Sequence, residues 1–108
     1  MDEIITNEQG GKQSKIKGMM TEIPPIALLE VSEVMGLGAT NYPRESDGSP
    51  NWHKISWQSN LDHCLEHCYN ALTENNKADR DLSQLREELS HCAARALMML
   101  EQFIREDK

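Results

Sequence analysis

Two neighbouring stretches of helical periodicity constrain this chain more than any other feature. Between Ser59 and Asn75, the residues Leu61, Cys64, Leu65, Cys68, Tyr69 and Leu72 recur three and four apart, which makes one apolar stripe on a helix. Between Asp81 and Ile104, Leu82, Leu85, Leu89, Cys92, Ala96, Leu97, Leu100, Phe103 and Ile104 do the same, and these are expected to form the main core stripe. The polar run Glu74-Asn75-Asn76-Lys77 breaks the pattern as a turn. Asp81 is a strong N-cap residue, and Gln84 three positions later gives a variant of the capping box. The back of the second helix is not simply polar, because it reads Glu87, His91, Ala94 and Met98. That face is expected to be covered as well, by another subunit or by a ligand cleft.

At 108 residues there is room for one domain with a modest core. The chain divides into a flexible basic arm over residues 1–22 and an α-helical domain over residues 23–108. With five aromatic residues, the core has to be built from Leu, Ile, Val, Met and Ala. A net charge of -7 would repel a phosphate backbone over most of the surface, which argues against a nucleic-acid polymer as partner. A small phosphate ligand held through a metal stays open. The three cysteines, Cys64, Cys68 and Cys92, form no Cys-x-x-Cys and fall within helical patterns. Together with the lack of a secretory leader, they read as reduced thiols of a cytoplasmic protein, serving as small core residues. No apolar run is long enough to cross a bilayer.

The arm carries Gly10-Gly11 and the basic residues Lys12, Lys15 and Lys17. It is a solvated tail, or else Gly10-Gly11-Lys12 folds over a phosphate, with glycine permitting close approach and lysine supplying charge. Ile23-Pro24-Pro25 opens a first helix, since proline suits the first helical turn. Gly36-Leu37-Gly38 is expected to end it. Glu30 and Glu33 on this helix read as solvated. From Ala39 to Trp57 the turn formers Tyr42-Pro43, Asp47-Gly48 and Ser49-Pro50 are interleaved with Tyr42, Trp52 and Trp57. Long loops in compact domains are often functional. Trp52 can stack on a nucleobase with Asn51 hydrogen-bonding beside it, or both tryptophans cap the helical core.

The two long helices each carry acids beside histidines: Asp62, His63, Glu66 and His67 on the first, Glu87, Glu88 and His91 on the second. His63 and His67 lie one turn apart on one face, as do Glu87 and His91. Two such faces set against each other would offer imidazole nitrogens and carboxylate oxygens to one divalent ion. A mixed set leans toward Mn²⁺ over Mg²⁺ alone. The plain alternative is that these are solvated outer faces, because no His-Glu-x-x-His is present.

Several segments resemble a known family in order and spacing. They are Ile23-Pro24-Pro25-x-Ala27-Leu28, Gly38-Ala39-x-x-Tyr42, Asn51-Trp52, Glu66-His67, Asp79 and Asp81, Glu88-Leu89-Ser90-His91, and Ala96-Leu97-Met98-Met99-Leu100-Glu101. Over about residues 10 to 102 the chain resembles the small, largely phage-borne family of dATP/dGTP diphosphohydrolase N-terminal domains, distantly similar to the all-α MazG-like pyrophosphohydrolases. The acid-rich Glu-Glu-x-x-Glu signature of the MazG-like group is missing. The resemblance implies an all-α domain, purine deoxynucleotide substrates, loss of pyrophosphate from dGTP or dATP, and a divalent metal. It carries Asn51, His67, Asp81 and His91 over as site positions. This chain has Glu88 where members place histidine, and Gln9-Gly10-Gly11-Lys12 where they often show an aspartate before the Gly-Lys of the arm.

Together these readings predict an all-α domain of three main helices and a long aromatic loop, assembling as a homo-oligomer in the bacterial host cytoplasm. Its expected activity is metal-dependent (Mn²⁺ or Mg²⁺) pyrophosphohydrolysis of a purine (deoxy)nucleoside triphosphate. His67, His91 and Asp81 are the expected metal ligands, and Glu66 and Glu88 the catalytic carboxylates. Lys12, Tyr42, Asn51 and Trp52 are the expected nucleotide contacts. The rival readings are a non-catalytic binder that sequesters a nucleotide signal of anti-phage defence, and a helical adaptor docking through the Ala94–Met98 face.

Overall fold

A computed structural model describes residues 3–15 and 18–106; Lys17, one of the arm's basic residues, lies outside them. The fold is mostly helical. Helix α1 spans Pro25–Asn41, α2 spans Trp57–Asn75 and α3 spans Leu82–Glu106. Of two short 3-10 turns, Met20–Glu22 precedes α1 and Asn51–Lys54 lies between α1 and α2. None of the helices is long and apolar enough to cross a membrane.

The arm is not featureless. Strands β1 (Ile4–Thr6) and β2 (Lys12–Ser14) pair antiparallel, with Thr6 opposite Lys12. Asn7 organises the turn: its Oδ1 accepts from the N–H groups of Gln9 and Gly11, and its carbonyl accepts from Gly10. Gly10 has a φ of 84°, which only glycine adopts without strain. The Gly10 and Gly11 amides that a phosphate cradle would need are therefore spent inside the hairpin. Lys12 is exposed on β2.

Helix α1 starts at Pro25, as the sequence predicts, but runs through Gly36 and Gly38 to Asn41. An interior glycine costs about 1 kcal/mol, which does not stop a helix by itself. Pro43 does, because the residue before proline is pushed out of the α region. Tyr42 has a φ of -128° and a ψ of 83°, and its N–H closes the last turn on the Gly38 carbonyl. Glu30 is not simply solvated. It pairs with Arg86 of α3, whose guanidinium holds the Glu30 carboxyl below its usual range.

Helix α2 begins at an Ser56 N-cap, whose hydroxyl accepts from the Ser59 N–H, two residues earlier than the apolar pattern implies. At α3, Asp81 caps as predicted, with Oδ1 accepting from the N–H groups of Ser83 and Gln84. The capping box does not close, because the Gln84 side chain reaches forward to Glu88.

The packing face differs from the sequence expectation. Helices α2 and α3 meet along Asn60, Cys64, His67, Ala71 and Glu74 on one side and Glu88, His91, Ala94, Arg95 and Gln102 on the other. Ala94 is 1% exposed and Asn60 is 0% exposed. Apart from Cys64 and Cys92, which meet in the seam, most of the predicted core stripes point away from it: Leu65, Tyr69, Leu72, Leu89, Leu97, Leu100, Phe103 and Ile104 are all exposed. The radius of gyration is 18.3 Å, against about 13 Å for a compact chain of this length. Helix α1 meets α3 through Ala27 and Val31 beside Leu82, Leu85 and Leu89, and beyond that contact a single chain leaves these apolar faces exposed.

Candidate functional site

The connection between the end of α2 and the start of α3 folds back to form a cleft of about 530 Å³, in the range of ligand pockets. Glu74, Asp79, Asp81 and Glu88 line it, with Asn70 and Lys77. Four carboxylates facing one ammonium would repel a polyphosphate that arrived alone and would welcome one carrying divalent cations.

Glu74 builds the cleft's floor. One oxygen accepts from the Asp81 N–H at 2.9 Å, and the other meets Lys77 Nζ at 3.1 Å. The Asp81 amide, with help from Lys77, holds the Glu74 carboxyl below its usual range. Asp81 is pinned in turn, with Oδ1 occupied in capping α3.

One turn further into the seam, His67 Nδ1 lies 2.7 Å from Glu88 Oε2. A carboxylate offers only lone pairs, so Nδ1 carries the hydrogen and Nε2 is the ring atom left for a ligand or a proton. Carboxylates commonly orient metal-binding histidines in this manner. Asn70 Nδ2 approaches the same oxygen at 3.5 Å, and Gln84 Nε2 donates to Oε1 at 3.0 Å. The His91 ring lies beside His67, with centroids 5.1 Å apart and planes tilted by 36°.

Of the site residues expected from sequence, His67, Glu88 and His91 meet in the α2–α3 seam. Asp81 stands apart at the start of α3, and the expected metal set His67, His91 and Asp81 does not bring its ligand atoms within 4.8 Å of one another. Glu66 is exposed, outside the seam's contacts, and His63 is exposed as well. Tyr42 is exposed at the end of α1. Asn51 and Trp52 sit in the 3-10 turn at the far end of α3, where the Gln102 amide donates to the carbonyls of His53 at 2.9 Å and Ile55 at 3.0 Å. Gln102 is about 14 residues along α3 from Glu88, so the aromatic turn stands about 21 Å from the cleft within one chain. Trp52 packs edge-on to His53 and Trp57 edge-on to Phe103.

Sequence reasoning missed Glu74, Asn70, Gln84 and Gln102. A signal was present: Asn60, Cys64, His67, Ala71 and Glu74 alternate four and three apart, as do Gln84, Glu88, His91, Arg95 and Gln102 with one gap. It was also missed that the three cysteines meet. Among the described residues, Cys64, Cys68 and Cys92 are the only group of three or more histidine, cysteine or acidic side chains whose ligand atoms all lie within 4.8 Å of one another. Cys68 is exposed, so it is not the small core residue expected. Burial, then the neighbouring thiols, pushes the Cys92 thiol up to about 12.

The site thus sets a carboxylate-lined cleft beside an imidazole held by a carboxylate. The family described as "dATP/dGTP diphosphohydrolase, N-terminal" matches residues 7–108. The chain belongs to this family. Comparison with curated proteins and with solved structures gave no match. The family match spans the hairpin's turn and β2, all three helices and the cleft, while β1 lies before it.

Proposed function

We propose that this member of the dATP/dGTP diphosphohydrolase N-terminal family hydrolyses a purine deoxynucleoside triphosphate in the α2–α3 cleft. Water attacks the α-phosphorus, the bond to the bridging oxygen of the β-phosphate breaks, and pyrophosphate leaves. The observation that carries this reading is the Glu88 carboxylate fixing His67 Nδ1 at the wall of an acidic cleft, with His91 alongside.

A divalent ion, Mg²⁺ or Mn²⁺, would be held jointly by the chain and the nucleotide, since such ions usually take one or two carboxylates plus substrate oxygens rather than a complete protein cage. His67 Nε2 and His91 are the paired candidate ligands, with Asp81 a further donor at the start of α3, and an ion held there would supply charge neutralisation at the phosphates. Glu88 orients His67, which leaves the exposed Glu66, or a cleft carboxylate such as Asp79, to receive the water's proton.

Base recognition needs a second copy. Pairing α3 against α3 in antiparallel fashion about the middle of the helix would bury the exposed Leu89–Ile104 stripe and set the Asn51–Trp52 turn of one chain near the cleft of the other. Trp52 would then stack on the purine, with Lys12 and Tyr42 reaching the nucleotide from the outside. The homo-oligomer is thus part of the site.

One observation favours a second reading, in which the protein holds a nucleotide intact and sequesters a signal of anti-phage defence. Both Glu88 oxygens already accept hydrogen bonds, from His67, Asn70 and Gln84, which removes the best-placed base. Incubation with dGTP and dATP in Mn²⁺ or Mg²⁺ separates the two. Release of pyrophosphate and monophosphate, lost in His91→Ala while the circular dichroism is unchanged, supports hydrolysis. Tight binding with full recovery of the triphosphate supports sequestration. No shift in melting temperature with any nucleotide points instead to an adaptor.

A further inference from the structure

We propose that Cys64, Cys68 and Cys92 form a thiolate site for a soft divalent ion, zinc, in the middle of the α2–α3 seam. The site is separate from the acidic cleft, because none of the three cysteines lines it. Cys64 and Cys68 are four apart on α2 and so share a face, and Cys92 meets them from α3.

One sulfur separation matches an ion as it stands, and the other reaches it by a side-chain rotation. Cys64 Sγ and Cys92 Sγ are 3.7 Å apart. Zinc–sulfur bonds of about 2.3 Å in a tetrahedron put two sulfurs about 3.8 Å from each other. Cys68 Sγ and Cys92 Sγ are 2.9 Å apart, closer than non-bonded sulfurs pack and far longer than a disulfide of about 2.05 Å. Cys68 is exposed, so rotating its side chain opens that edge without moving the backbone. Its open side leaves the fourth position to water or to an outside ligand.

The chemistry balances simply. Three thiols give up three protons to solvent as one Zn²⁺ enters, leaving one net negative charge on the site. Thiolates select this class of ion, whereas the carboxylates of the cleft suit Mg²⁺ or Mn²⁺. The two sites therefore sort different metals along one helix pair. Zinc here would staple α2 to α3 where the seam has little apolar area to hold it.

The test uses the full chain, purified reduced and freed of metal, and titrated with Co²⁺ and then Zn²⁺. The expected result is a sulfur-to-cobalt charge-transfer band that saturates at one equivalent and is displaced by Zn²⁺. In Cys68→Ser, a change at an exposed position, zinc affinity should fall roughly 100-fold or more, beyond the loss typical of removing an outer-shell partner. Cys64→Ser and Cys92→Ser should lose the band; if either fails to fold, Cys68→Ser decides alone. His91→Ala should keep the band, so a failure of nucleotide hydrolysis and a failure of this proposal are read separately. Absence of the band, an unchanged zinc affinity in Cys68→Ser, or a Cys68–Cys92 disulfide formed in the presence of zinc would each overturn it.

Discussion

Along α3, the line through Glu88, His91, Arg95 and Gln102 is turned toward α2, whereas the line through Leu89, Leu97, Leu100 and Ile104 is turned away from it. The first line is held by named pairs: His67 with Glu88, Asn60 Oδ1 with Arg95 Nη1 at 2.9 Å, and Gln102 with the loop carbonyls. Buried polar groups tolerate few alternative partners, so these pairs set the register of the two helices. The second line offers area without geometry. The difference teaches that the strongest apolar stripe marks the stickiest face of a helix, not its nearest neighbour in the chain. In this protein the neighbour takes the polar face, where the candidate chemistry lies, and the apolar line past Leu89 stays exposed.

The largest effect should come from spoiling the outer line. Leu97→Asp combined with Leu100→Asp removes two leucines from any interface, at about 1.5–3 kcal/mol each. Sedimentation should show the oligomer dissociating at least about 100-fold more readily, with helical circular dichroism retained. An unchanged sedimentation coefficient would break the comparison, because the outer face would then have no partner to lose. The inner line responds differently. Ala94→Leu forces a larger side chain into the 1% exposed contact between α2 and α3 and should cost about 1–3 kcal/mol, read from urea midpoints. A neutral result would mean that the seam is looser than its packing implies.

Much of this arrangement was legible beforehand, and its gaps have physical causes. Pro25 and Asp81 announced their helices because capping is local chemistry, settled within four residues. The approach of His67, Glu88 and His91 was readable from their spacing on two helices. Which face packs inward was not, because periodicity finds two lines on each helix and ranks them by hydrophobicity alone. Gly36 and Gly38 misled because glycine weakens a helix without stopping it, and the stop came from Pro43. Trp52 was grouped with the nucleotide contacts by residue type, and only the position of Gln102 reveals how far its turn stands from Glu88. The cysteine cluster joins positions 28 and 24 residues apart, a separation that no local rule reaches.

The smallest effect, and the one that sharpens the inner line most, is the pH response of Glu74. The Asp81 amide and Lys77 favour its charged form in the fold, so its carboxyl titrates below the ordinary value of 4.5. A depressed carboxyl stabilises the folded chain above the unfolded value, and that contribution is lost as pH falls below 4.5 through the folded value. In Glu74→Gln the amide oxygen still accepts from Asp81, but the attraction to Lys77 and the titration are gone. Urea midpoints measured from pH 7 down to pH 3 should show wild type above the variant at neutral pH, with the gap closing below pH 4.5. Asp47 and Glu30, also held low by Ser49 and Arg86 respectively, titrate in both proteins and cancel in the difference. A gap that stays constant across that range would mean that Glu74 acts by shape alone. The charged tether between the end of α2 and the start of α3 would then contribute nothing to closing the cleft.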